Sequence, residues 1–577
     1  MPGRREVTGR ELALLVCGAI ALVVAMEWPL VLHLGTTIPH DRGDPLAESW
    51  EIAWGGHALA HQPLDFFGAN QFWPFRDTLA FSDALVGYAP AGLLGSGPEA
   101  AVARYDLVFL FAYVLAFLGG YLLARELGAG PGGAAVAGAA FAFAPYRLEQ
   151  NGHMQVISSG GIPLALAVAL RGYRRRRSGW VIAGWLVATW QLSLSWTLGL
   201  PFAYLLAALC LIALVAWLRR ARPKLPRPMA VATAVGIAAF LLAAALLARP
   251  YLHVQHAHPQ AHRSPETVAA FSGPPWIYLV APDGNLVWGD ATAGLRSELT
   301  QVPEKTLFPG LSIVALAVAG LGWAGYARGL RRGLGIGVLA FAALALGFRM
   351  SGGLLWPDRI AYELLPGWQG IRTPGRLTTF VSLGLALLAA AGAERAIAAA
   401  ARRSARRLAP AALAAALAAA VVIEGLGLPF MTIGERQQPS VPDPPPSTAS
   451  VPAPQLHLPA LRDTDNRRYL LWSTDGFPRM VNGKSSIEPA FTKRLIRRMR
   501  GFPSPRTVAI LRRLGVRSVI VHLDRVRGTP WRRVLARPAR GLGLVARRDG
   551  PLEIYELRSP AGSGSSSTLG SASAGSL

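Results

Sequence analysis

The chain has 577 residues, of which 52% are hydrophobic and 16% charged, with a mean hydropathy of +0.33 and a formal net charge of +25. An ordinary soluble domain carries about 25% charged residues, so a soluble globular protein is excluded for most of the length. The positive charge does not make a nucleic-acid binder, because the arginines before the Pro-rich stretch at 433–460 sit mostly in short clusters between apolar runs, which is the topology signal of a membrane protein.

A membrane-spanning helix needs roughly 20 apolar residues. Blocks rich in Leu, Ala, Val and Gly recur from Glu11 to Pro429. They are continuous rather than alternating, which points to helices and not to a β-barrel. The expected spans are 11–34, 104–126, 131–146, 154–170, 179–196, 198–218, 229–251, 309–327, 332–350, 376–400 and 409–429. The first follows Arg4, Arg5 and Arg10 and reads as an uncleaved span rather than a signal peptide. Cys17 and Cys210 both lie inside apolar runs, which speaks against a disulfide framework or a thiolate metal site. Basic clusters stand at the N-terminus, at Arg171–Arg177, Arg219–Arg227, Arg328–Arg332 and Arg402–Arg407. With eleven spans and a cytoplasmic N-terminus all of these fall inside, and the loops 35–103, 147–153, 251–308 and 351–375 fall outside with everything after 430. The expected architecture is an α-helical polytopic membrane protein of about eleven transmembrane helices over 1–432, with a long first outer loop at 35–103.

That loop opens "HDRGDPLAESWEIAWGGHALAHQPL" (His40–Leu64). A helix over 45–61, with Pro45 in its first turn, makes Asp44 a natural N-cap. Trp50, Trp54, His57 and His61 then share one face, and rings with polar edges suit a membrane interface. Asp44 reads either as a helix cap or as a general base near the bilayer surface, and the two readings are compatible. Asp83, in "FSDAL", reads as the cap of another short helix or as a second carboxylate of an acidic pair.

Further along, "APYRLEQNGHMQ" packs Tyr146, Arg147, Glu149, His153 and Gln155 into one outer turn. It is either a solvated loop or a wall of the same site, with His153 as a phosphate or hydroxyl contact and Glu149 as an auxiliary acid. The histidines of "HVQHAHPQAHR" match no standard zinc spacing, so no metal site is assigned there. "LPGWQGIRTPGR" places Arg372 and Arg376 at an outer helix mouth. They are snorkelling arginines or, against the positive-inside bias, ligands of an anion such as phosphate.

Residues 433–460 form a Pro-rich, extended linker. A small extracytoplasmic α/β domain follows over 461–558. Here "RRYLLWST", "VRSVIVHLD", "LGLVARR" and "LEIYEL" read as strands, and "EPAFTKRLIRRMRGF" and "SPRTVAILRRLG" as helices. The tail, 559–577, is low-complexity and expected to be disordered.

A first span, a long outer loop with an early Asp, many further spans and a C-terminal extracytoplasmic domain together resemble the GT-C superfamily of membrane glycosyltransferases. The stretches "GDPLAESWEIAW", "QFWPFRDTLAFSD", "FAPYRLEQNGHMQ", "EKTLFPG", "LPGWQGIRTPGR" and "MVNGKSSIEP" are similar to a bacterial group described as glycosyltransferases that use polyprenyl-phosphate sugars. The resemblance implies Asp44 as catalytic base, with Asp41 as fallback and Asp83 as a second acid. It implies His153, Gln155, Arg372 and Arg376 as substrate-binding residues, to which the reading of the outer turn and of the helix adds Glu149, Trp50, Trp54 and His57. The superfamily often shows two adjacent acids, whereas Asp41 and Asp44 are not neighbours. The implied donor is a polyprenyl-phosphate-linked sugar, and the implied acceptor is an envelope glycan, lipid or protein. The partners are membrane lipid and these substrates, with no nucleic acid, and the location is the bacterial cytoplasmic (inner) membrane. No cofactor is assigned; metal dependence varies in the superfamily, so a divalent metal stays open. The competing reading is a transporter or assembly factor for lipid-linked envelope polysaccharide, without catalysis.

Overall fold

The structure is a computed structural model that describes residues 7–219, 225–348, 356–403, 408–427 and 438–558. Its membrane part comprises α1 (Gly9–Met26), α2 (Asp44–His61), α3 (Gly97–Leu127), α4 (Pro131–Phe143), α5 (Gly161–Arg175), α6 (Ser178–Leu194), α7 (Trp196–Arg219), α8 (Arg227–Ala257), α9 (Leu311–Leu321), α10 (Arg328–Ala345), α11 (Thr378–Arg403) and α12 (Ala409–Glu424). All except α2 fall on the eleven apolar runs. Among the described residues, however, six stretches are long and apolar enough to cross a membrane: α1, α3, the segment ending in α5, α7, α8 and the segment containing α11. That is the number of crossings supported, against eleven expected. The difference has a physical source, since α4, α9 and α12 are apolar but short, α6 has 17 residues and α10 begins on Arg328, Arg331 and Arg332.

Small residues let these helices approach closely, the usual device where lipid supplies no hydrophobic drive between them. On α9 and α11, a Cβ on Gly320 would lie 2.0 Å from the Leu388 carbonyl oxygen, and one on Gly392 would lie 2.0 Å from that of Leu316. The two backbones touch there, and only glycine fits.

The C-terminal domain contains β1 (Gln455–Leu458), α13 (Asp463–Trp472), α14 (Ala490–Arg498), α15 (Pro505–Arg513), β2 (Ser518–His522), β3 (Leu544–Asp549) and β4 (Leu552–Leu557). The sheet order is β1-β2-β4-β3, with β1 parallel to β2 and β4 antiparallel to both β2 and β3. Side chains alternate across it. Leu456, Leu458, Val519 and Val521 pack with α14 and α15 on one face. His457 and His522 lie on the other face, stacked on Tyr469 of α13 at centroid distances of 5.1 and 4.7 Å.

Three expectations are corrected here. "RRYLLWST" lies largely in helix α13 and not in a strand; a short apolar run cannot by itself separate the two, and Asp463 and Asp465 in the first turn suit a helix N-terminus. The Pro-rich stretch is not linker to its end, because Gln455–Leu458 is strand β1. Finally, the Trp face of α2, read as suited to a membrane interface, is covered by protein: Trp50 and Trp54 are 1% and 3% exposed. The tail 559–577 and residues 433–437 lie outside the described residues.

The domain is sewn onto the first outer loop by backbone hydrogen bonds. Phe72 N–H donates to Asn482 O (3.0 Å), Trp73 N–H to Met480 O (2.8 Å) and Met480 N–H to Asn70 O (2.7 Å). Thus "NQFWP" and "MVNGK" run side by side, although they are some 400 residues apart in sequence.

Gly392→Ala should lower the thermal midpoint of the detergent-purified protein, at a cost of about 1–3 kcal/mol from overpacking. Gly329→Ala, where a Cβ meets nothing within 4 Å, should leave it unchanged or slightly higher.

Candidate active site

Asp44 is the first residue of α2, and Gly43 holds the cap position with no side-chain cap bond. The capping reading of Asp44 is therefore set aside. The turn before the helix is held by Asp41, whose Oδ1 accepts the Gly43 N–H at 2.6 Å and whose Oδ2 lies 3.3 Å from His40 Nδ1. Burial alone would raise the Asp41 carboxyl, but His40, the Gly43 N–H and Arg467 together bring it below the ordinary carboxylate value.

Relieved of capping, the Asp44 carboxylate has two partners. Oδ1 accepts from Arg467 Nη2 at 2.7 Å, and Oδ2 lies 3.8 Å from His153 Nε2. Its side chain is 45% exposed, so it is open to a reactant. His153 Nε2 also lies 3.8 Å from Glu304 Oε1. Glu304 in turn accepts from Arg376 Nε at 3.2 Å and from Nη2 at 2.5 Å, a buried two-point pair. Asp44, His153, Glu304 and Arg376 thus form one connected chain of contacts.

The electrostatics follow from burial and charge. Burial raises the Glu304 carboxyl, but Arg376 first, then His153 and Arg372, hold it below its ordinary value. His153 is lowered to about 4 by burial and by Arg376, against the opposing pull of Glu304 and Asp44; it is a neutral imidazole at neutral pH. Its Nδ1 has no hydrogen-bond partner among the described residues. Behind Asp44 on the same helical face, at i+4, Glu48 is buried and accepts from the Met154 N–H at 3.1–3.2 Å. That bond fixes the His153 turn against α2. Burial, then Asp44, raises Glu48 well above its ordinary value.

Arg372 stands apart from its expected pair. Arg376 is spent on Glu304, whereas Arg372 sits 4.9 Å from the Phe271 ring centroid and has no acidic partner at ion-pair distance among the described residues. Burial and the nearby Arg376 both lower its pKa. Arg263, donating from Nη2 to Ser486 Oγ at 2.5 Å, is likewise lowered to about 10, by burial and by Arg372. Two half-buried guanidiniums that repel each other and lack a carboxylate form a site suited to an anion.

The other expected residues fall as follows. Asp83 caps a helix, though not a short neighbouring one: Oδ1 accepts the Trp196 N–H (2.7 Å) and Oδ2 the Thr197 hydroxyl (2.6 Å) at the start of α7. Glu149 is raised by burial, partly offset by His40. Gln155 is buried with its Oε1 unpartnered among the described residues. The Trp50 and Trp54 indoles donate to Asn70 Oδ1 (2.9 Å) and Phe66 O (3.0 Å), and His57 packs on Phe477 at 4.5 Å. These three seat the C-terminal domain and do not line the Asp44 cluster. Among the described residues no group of three or more His, Cys, Asp or Glu side chains is arranged to hold a metal ion. Asp44 and Glu304 are answered by arginines instead, so no step below runs through a metal.

Sequence reasoning missed Glu304, Arg467, Arg263 and Glu48. Glu48 had a visible signal, since Asp44, Glu48 and Glu51 recur at i, i+4 and i+7. Arg467 was hidden by the strand reading of its segment.

No protein-family model and no curated protein matches the chain. Among solved structures, the mycobacterial arabinofuranosyltransferase AftD matches with a TM-score of 0.55 at 16% identity, over 96% of this chain and 42% of AftD. The Archaeoglobus fulgidus oligosaccharyltransferase matches with a TM-score of 0.47 at 15% identity, over 88% of this chain and 68% of that one. Both are polytopic membrane glycosyltransferases of the GT-C superfamily. The fold of this chain is similar to that of AftD, and the chain, an integral membrane protein by its apolar helices, spans about two fifths of the length of AftD.

Two outcomes are expected. Glu304→Gln leaves Arg376 buried without its counter-charge and should cost about 3–5 kcal/mol, read as a lower unfolding midpoint. Buried neutral histidines also set an acid limit: burial lowers His457 to about 3, and burial then His457 takes His522 well below its usual value, alongside His153. As pH falls below about 6.5, the unfolded chain binds protons that the folded chain refuses, so stability drops progressively toward pH 4. A thermal midpoint series from pH 7.5 to 4.5 should decline, and less steeply in His522→Gln.

Proposed function

We propose that the protein is a membrane glycosyltransferase that moves a sugar from a polyprenyl-phosphate carrier to an extracytoplasmic glycan, lipid or protein acceptor, with Asp44 as general base. The observation that carries this reading is the placement of Asp44. Its carboxylate heads a helix without capping it, stays partly exposed, and is oriented by Arg467 at 2.7 Å and His153 at 3.8 Å.

The acceptor hydroxyl attacks the anomeric carbon of the lipid-linked sugar as Asp44 takes its proton. The bond from that carbon to the phosphate oxygen breaks, and its electron pair leaves on the polyprenyl phosphate. Direct displacement inverts the anomeric centre. The charge that grows on the departing phosphate is met by Arg372 and Arg263, the two guanidiniums without a carboxylate partner. Arg376 contributes through Glu304, by holding the His153 side of the cluster in place. Neutral His153 offers a hydrogen bond to a hydroxyl or phosphate oxygen without adding charge. In this reading the protein lies in the bacterial cytoplasmic membrane, with its N-terminus cytoplasmic and the site and C-terminal domain on the outer side.

Asp44→Asn keeps an acceptor oxygen for Arg467, so the variant should fold with an unchanged thermal midpoint. Its rate of sugar transfer from a polyprenyl-phosphate donor should fall by about 10²–10⁴-fold. Transfer at a near-normal rate in this variant would sink the mechanism.

A further inference from the structure

The C-terminal domain carries a second feature that transfer at Asp44 does not use. Residues 490–543 hold Lys493 and fourteen arginines against a single acid, Asp524. A surface of one sign repels itself and lowers the stability of the compact state, unless a partner of opposite charge answers it.

The fold gathers these charges on one side. Leu495 and Ile496 of α14, Val508 and Leu511 of α15, and Trp531 and Val534 of the turn that follows β2 all pack on the same sheet face, against Leu456, Leu458, Val519 and Val521. With their apolar sides inward, these segments turn their arginines out. Arg494, Arg497, Arg498, Arg513, Arg532 and Arg533 are all exposed, and none has an acidic partner at ion-pair distance among the described residues. The single lysine pairs with Glu488 at 2.7 Å. The helix that reaches Asp44, α13, lies on the opposite sheet face, where Tyr469 stacks on His457 and His522. The arginine layer thus lies on the sheet face opposite α13, and the first outer loop reaches that face only at its edge, where Trp73 Nε1 donates to Leu514 O at 2.9 Å and Phe75 packs on Phe491.

We propose that this layer is a docking surface for an acidic polysaccharide, a polymer bearing regularly spaced carboxylates. Guanidinium forks bind carboxylates at two points, and an array of them on one face suits a linear polyanion. Two observations favour a polymer over the protein's own lipid surface. The layer's outward side is dominated by arginines, with Leu535 as its exposed large apolar residue, whereas interfacial binding relies on a broad apolar face. Its charges are spread over three segments rather than along one amphipathic helix.

The test uses the full chain in nanodiscs of zwitterionic lipid, with polygalacturonate as the probe polymer. Binding is expected at low salt and should weaken by about tenfold or more between 50 and 200 mM salt, as for release of condensed counterions. The variant Arg494→Gln/Arg498→Gln/Arg532→Gln/Arg533→Gln should lose about tenfold or more in affinity with an unchanged or higher thermal midpoint. No binding, binding indifferent to salt, or binding indifferent to the four substitutions overturns the proposal. So does tighter binding to phosphatidylglycerol vesicles or to duplex DNA than to the polyuronate, which would give the face a different partner. The readout is independent of sugar transfer, so the docking surface and the role of Asp44 stand or fall separately.

Discussion

One ion pair joins the two ends of this protein's logic. Arg467 lies 423 residues after Asp44 and donates to it at 2.7 Å. Asp44 stands one place inside the cap position, which Gly43 holds, so its carboxylate is free to take Arg467 as its partner. With it, the carboxylate is turned into the cluster of His153 and Glu304, and Asp41 takes over the turn. The same domain that brings Arg467 to Asp44 is held on the first outer loop by the backbone bonds of Phe72, Trp73 and Met480.

Around that bond the charges are distributed by a simple rule. Each carboxylate at the front of the cluster has its own guanidinium, Asp44 with Arg467 and Glu304 with Arg376. Arg372 and Arg263 are left over. Buried charges are tolerated when they are paired and hydrogen-bonded, so in the proposed mechanism the leftover pair is where the departing phosphate would be met. The neutral state of His153 fits the same arrangement, since a further positive charge beside Arg376 would be costly. Glu48, behind Asp44, is pushed toward its neutral acid and serves as a bolt between α2 and the His153 turn.

Much of the helical framework was legible in the sequence, because lipid imposes long continuous apolar runs and each of those runs became a helix. The number of crossings was less legible. A short helix such as α4 buries its apolar residues against other helices, and composition does not distinguish burial in protein from burial in lipid. The acid at position 44 was readable from its place before Pro45, and so was the polar density of the His153 turn. Arg467 was not, because its segment, with Tyr469–Trp472 apolar in a row, mimics a strand. Glu304 stands in a loop whose polar residues carry no period at all. The Trp50–Trp54 stripe was seen correctly as one face, but its partner was the distant Phe477 rather than a membrane, and a pattern within one helix does not name what covers it.

The long separation between Asp44 and Arg467 has a consequence for how the molecule comes into being. Residue 44 leaves the ribosome more than four hundred residues before its partner, and the closing of such a distant contact is entropically late. The membrane helices can be inserted and packed while the carboxylate still waits. Assembly of the cluster is thus one of the last events of biogenesis, and a truncated chain that had every helix of the membrane part would still lack the residue that aims its acid.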